Sequence, residues 1–154
     1  MKRTDINIRD PFVLVHDGAY YLYSTRGETC WGPADGFDVY VSRDLENWEG
    51  PQVCFHNDGT FWADRNYWAP EVYHYDGTFY MFASFKNPDV KRGTAILKAE
   101  SPLGPFRPHS NGCVTPGNGN VWTARSMSAR LARPTWCSAT NGYRQVTARS
   151  APSP

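Results

Sequence analysis

Not one aspartate or glutamate follows Glu100, although the 154 residues carry fifteen acids. Residues 101–154 also lack lysine, and their six arginines give +6, against −5 for the first hundred residues. A compositional break of this size marks a boundary. Long apolar runs are missing too. None approaches the roughly 20 residues of a membrane-spanning helix, and the opening MKRTDINIRDPF has no apolar stretch of signal-peptide type. The expected location is cytoplasmic, or secreted through a leader that this sequence does not carry. The four cysteines (Cys30, Cys54, Cys113, Cys137) show no C-x-x-C spacing, which argues against a zinc site and a disulfide framework. They read as unpaired thiols, and no metal or cofactor is expected. The arginines of the last third lie scattered among Ala, Ser, Thr and Pro without a basic cluster or an amphipathic stripe. Neither nucleic acid nor a membrane is therefore an expected partner.

Helical apolar periodicity is scarce, whereas aromatics make up 15% of the chain, nineteen of the twenty-three before residue 101. That balance favours an all-β fold. The chain also resembles itself. DPFVLVHDGAYYLYS from Asp10 aligns with APEVYHYDGTFYMFA from Ala69, pairing Pro11 with Pro70, Asp17-Gly18 with Asp76-Gly77 and Tyr21 with Tyr80 at an offset of 59. Downstream, VYVSRDLENWEG (Val39–Gly50) corresponds to LKAESPLGPF (Leu97–Phe106). Each unit is a hairpin closed by Asp-Gly, a variable insertion, a third strand, a serine-anchored turn and a short closing segment. A repeat of three to four antiparallel strands that cannot bury both faces alone is the pattern of a β-propeller blade. Two such units end near Phe106, fewer than the roughly four to eight blades of a propeller. Unpaired edges of this kind predict self-association.

The stretches IRDPFVL, GFDVYVSRDLENWEGP, FWADRNYWAPEVYHYDGTFYMFASF and GTAILKAESPLGPFRPHSNGCVTP together resemble glycoside hydrolase family 43, over about residues 6–116. The resemblance implies about two blades of a five-bladed propeller, the N-terminal part of a hydrolase that acts with inversion. Its substrates would be β-xylosides or α-L-arabinofuranosides, so the implied partner is a xylose- or arabinose-containing saccharide. An inverting glycosidase needs one carboxylate to activate water and a carboxylic acid to protonate the leaving oxygen. The resemblance puts Asp10, in Arg9-Asp10-Pro11, in the position of the general base. On the residues alone the favoured reading is a turn or cap before a proline. Trp68 and Glu71, in the matching WAPE stretch, are expected at the sugar pocket together with Arg9 and Phe37; plain core packing is the alternative for Trp68 and Phe37, and a salt bridge with Arg9 the alternative for Glu71. Trp31 and Trp62 are further candidates for stacking or for core. His16 and His74 sit near turns and are expected at the surface rather than in the chemistry.

The resemblance also implies an aspartate and a proton-donating glutamate from later blades, and the acid-free last third supplies neither. Shifted by one base, residues 117–142 can encode a blade-like hairpin, LDGTLYV…AYMVFC. Single-codon tryptophans limit the freedom of that exercise, because Trp122-Thr123 forces an aspartate and Trp136-Cys137 a valine. The expected organisation is blades over 1–116 and an irregular tail over 117–154, frameshifted or disordered. A chain so built is expected to be inactive by itself, a saccharide-binding or non-functional fragment being the alternative.

Overall fold

The computed structural model describes residues 1–115 in full, together with the backbone of two strands at 121–128 and 134–140. Eight strands form two four-stranded antiparallel sheets in simple sequential order. The first holds β1 (Ile8–His16), β2 (Ala19–Arg26), β3 (Gly36–Ser42) and β4 (Trp48–His56). The second holds β5 (Arg65–Tyr75), β6 (Thr78–Asn87), β7 (Val90–Ala99) and the short β8 (Arg107–Pro108). Each sheet is a blade, and the fold is all-β, as the composition and the repeat predict.

Asp-Gly turns place the strands because their backbones can do what a right-twisted hairpin needs. Asp17-Gly18 joins His16 to Ala19, and Asp76-Gly77 joins Tyr75 to Thr78. All four turn residues have positive φ (46° and 69°, 48° and 74°), the requirement of a type I′ loop. The repeat reaches further into the backbone than the turns. Asp10 and Ala69, again 59 apart, have φ of 49° and 47°, and at each the ladder to the next strand is interrupted by a bulge. Such bulges re-aim a side chain at the edge of a sheet.

The blades pack face to face. Tyr23, Phe37 and Val39 from the first meet Val72, Met81, Phe85 and Leu97 from the second in one buried core. Alternation along β1 sends Phe12 and Leu14 toward that core, while Val13 and Val15 face outward, Val15 with 65% of its surface exposed. The outward face of the first blade is apolar as well, with Leu22, Tyr40 and Trp48 in a second cluster that Ile6, Ile8 and Tyr20 flank. Cys30, Cys54 and Cys113 are free thiols, and burial pushes that of Cys54 far up.

Within 117–154, where the sequence leads to an irregular tail, the strands β9 (Val121–Ser128) and β10 (Pro134–Thr140) pair antiparallel, and β9 lies against β6 and β7. The rest of that segment lies outside the described residues, and so does the expected frameshift or disorder. Among the described residues no helix is long and apolar enough to cross a membrane.

Candidate functional site

The starts of β1 and β5 and the end of β2 meet at one end of the blade pair, where they enclose a cleft of about 190 Å³. Arg9, Asp10, Thr25, Cys30, Trp31, Trp68 and Ala69 line it. Asp10 is brought there by its bulge, and it is the single carboxylate among these residues. The Thr25 hydroxyl donates to Asp10 Oδ2 at 3.0 Å. The same hydroxyl oxygen accepts the Ala69 amide at 2.9 Å, so one buried side chain spans from the first blade to the second. Next to Thr25, the Arg26 guanidinium forks onto both carboxylate oxygens of Asp38 at 2.7 and 2.6 Å and also reaches Asp35 at 2.7 Å. That bidentate contact clamps the end of β2 to the start of β3.

An aromatic wall stands beside the carboxylate. Trp68 and Trp31 meet edge to face with centroids 5.2 Å apart. Trp68 Nε1 donates to the Cys30 carbonyl, and the buried Arg92 guanidinium lies 3.4 Å over the Trp68 ring. Arg92 also donates to the Asn66 carbonyl at 3.0 Å, and burial pushes its guanidinium down to about 10. It therefore remains a cation at neutral pH. Trp31 is 70% exposed, and Arg9 sits 5.3 Å over its ring. A planar apolar face beside a carboxylate suits a sugar ring, whose C–H face packs on aromatics while its hydroxyls reach polar groups.

Of the residues expected from the sequence, Asp10, Arg9 and Trp68 come together here. Phe37 does not. It is 0% exposed and sits among Phe55, Tyr67 and Phe85, with centroids 5.8–6.4 Å away. Enclosed on every side in the inter-blade core, it has no face to offer a ligand. Glu71 is buried in β5, where it accepts the Tyr73 hydroxyl at 2.7 Å, and it does not line the cleft. The Arg9–Glu71 salt bridge is not formed, since Arg9 lies over Trp31 instead. Trp62 packs on Phe61 and Phe85. His16 and His74 both sit against Phe79, near the Asp-Gly turns and away from the cleft. Thr25, Cys30 and Arg92 were not anticipated. For Thr25 a signal existed, because the repeat aligns it with Ser84, which is also buried.

Two packed four-stranded antiparallel blades with such a cleft at one end place the chain among the β-propellers. The chain belongs to glycosyl hydrolases family 43, whose family model matches residues 5–121. Solved structures agree with that assignment. An endo-arabinase from Bacteroides thetaiotaomicron is 33% identical, with a TM-score of 0.79 over 90% of this chain and 48% of its own. A thermostable family-43 glycoside hydrolase is 29% identical, with a TM-score of 0.69 over 84% of this chain and 40% of its own. An endo-1,4-β-xylanase from Bacteroides thetaiotaomicron shares the fold at 24% identity, with a TM-score of 0.71 over 86% of this chain and 43% of its own. This chain thus spans about half the length of these structures or less. No curated protein matches it.

Proposed function

We propose that the chain contributes the water-activating half of an inverting glycosidase site, with Asp10 as general base, acting on α-L-arabinofuranosides or β-xylosides. The observation that carries this is the Asp10 carboxylate, exposed at its bulge beside Trp31 and Trp68, with one oxygen tied by Thr25. Arg9 and Trp68 bind the sugar, and Trp31 extends the platform. The endo-arabinase likeness at 33% identity leans the substrate toward arabinose-containing saccharides. In an inverting reaction the base and acid stand roughly 6.5–9.5 Å apart across the sugar. No second carboxylate lines the described cleft, and none follows Glu100 in the sequence. By itself this chain therefore activates water but lacks a donor for the leaving oxygen.

Substrates that need no protonation test this division directly. The chain is expected to release dinitrophenolate slowly from 2,4-dinitrophenyl α-L-arabinofuranoside or β-xyloside, and to leave arabino- and xylo-oligosaccharides intact. Asp10→Asn is expected to abolish the release. A folded sample that leaves the activated glycosides untouched removes catalysis from this chain. In that event the site is one for saccharide binding, which titration calorimetry with the same oligosaccharides measures.

A further inference from the structure

We propose that Thr25 is the positioning residue for the Asp10 carboxylate, and that its hydroxyl couples that carboxylate to the backbone of the second blade. The proposal rests on the reading of Asp10 as the base. Thr25 is 1% exposed, and its hydroxyl has one proton to give. The Ala69 amide can only donate, so Oγ1 accepts there, at 2.9 Å. An ionised carboxylate can only accept, so the hydroxyl proton goes to Asp10 Oδ2, at 3.0 Å. The direction of the relay is therefore fixed from amide to hydroxyl to carboxylate. Its second bond ends on a charged group, the stronger kind of hydrogen bond. Oδ2 is occupied in this way, while Oδ1 is hydrogen-bonded by no described residue and is left for the attacking water.

Two further observations support the assignment. Both residues at the ends of the relay, Asp10 through its carboxylate and Ala69 through its amide, have positive φ, a costly conformation for residues with a side chain that persists where neighbours over-determine it. Thr25 holds both through one atom. The repeat also supplies an internal comparison. Thr25 faces Arg9 across its ladder as Ser84 faces Trp68, 59 residues on. Both blades thus carry a buried hydroxyl at this place, but a carboxylate stands at the bulge only in the first. A hydroxyl position common to both blades serves Asp10 in one of them.

The experiment reads the Ala69 amide by ¹H–¹⁵N NMR in the full chain. In the wild type and in Thr25→Ser, Asp10→Asn is expected to move the Ala69 amide proton, because neutralising the carboxylate weakens the hydroxyl that the amide faces. In Thr25→Val the same Asp10→Asn change is expected to leave it still. A residue that merely fills space would transmit nothing in any background. With the activated glycosides, Thr25→Val is expected to lose about tenfold or more in rate, the effect of removing one hydrogen bond to a charged group, and Thr25→Ser to retain most of it. An Ala69 amide indifferent to Asp10→Asn in the wild type overturns the proposal, as does an equal response in Thr25→Val. If Thr25→Val does not fold, the wild type and Asp10→Asn decide between themselves. Absence of turnover in the wild type strikes the base assignment and leaves the amide response to report on the relay.

Discussion

In the turn between β3 and β4, the Asp44 carboxylate accepts the backbone amides of Glu46 and Asn47 and the side-chain amide of Asn47. Those bonds, the Asn47 amide foremost, hold its carboxyl well below the usual carboxylate range. A carboxyl depressed in the folded state stabilises fully above its unfolded value, and the contribution fades as pH falls toward the folded one. Asp44→Ala is therefore expected to lower the urea midpoint at about pH 6, and the gap to the wild type is expected to narrow by about pH 3. A gap that is constant with pH would assign the turn's stability to something other than this charge. Asp44 and Asp10 are both aspartates beside turns or bulges, and local sequence does not separate them. Asp44 is satisfied within three residues, a Ser-Arg-Asp pattern readable along the chain. The partner of Asp10 is Thr25, and the partner of Thr25 is Ala69, 44 residues on. Contacts of that span are made by folding, so the repeat could mark Thr25 as the counterpart of Ser84, but nothing along the chain could join it to Asp10 and Ala69.

The strands were legible wherever a turn closes them within two residues. Asp17-Gly18 and Asp76-Gly77 announce both hairpins, and their offset announces the repeat. What alternation along a strand does not say is which face meets the core. β3 reads Gly36-Phe37-Asp38-Val39-Tyr40, with an aromatic residue on each face and Asp38 beside Tyr40. Phe37 goes inward with Val39, while Asp38 and Tyr40 face the other way, toward Arg26 and the second cluster. The assignment of Phe37 to a sugar pocket failed on that ambiguity, because a blade buries both of its faces and polarity does not mark one as outer. Gly36 shows how closely β3 and β4 approach. A Cβ there would run into the Phe55 carbonyl oxygen, a backbone atom that cannot swing aside. Gly36→Ala is expected to cost about 1–3 kcal/mol, as overpacking does, and to appear as a lowered urea midpoint. It should also disturb the amides of Phe37 and Phe55 more than those of β1. An unchanged midpoint would mean that β4 can slide away, and that the pairing of Gly36 with His56 is not tightly held.

At the scale of the molecule, the two blades share their main core among the described residues. Phe37 and Phe55 from the first blade interlock with Phe85 from the second at centroid distances of 5.8 and 6.3 Å, with Tyr67 and Phe61 closing the cluster at 4.8 and 4.9 Å from Phe85. The Tyr23 hydroxyl adds a polar tie by donating to the Pro102 carbonyl at 2.6 Å. A repeat built in this way gains most of its stability at the interface between units. The cleft inherits that dependence, because Asp10 stands on one blade and Trp68 and Ala69 on the other. Phe85→Ala removes a fully buried ring and is expected to cost about 3–5 kcal/mol. The informative readout is where that loss appears. Hydrogen exchange in the variant is expected to speed up in β2 and β3 of the first blade about as much as in β6 and β7, where the substitution lies, since neither sheet keeps its inner face covered without the other. Loss confined to β6 and β7 would make the blades separate folding units. The juxtaposition of Asp10 with Trp68 would then need another source of rigidity than the shared core.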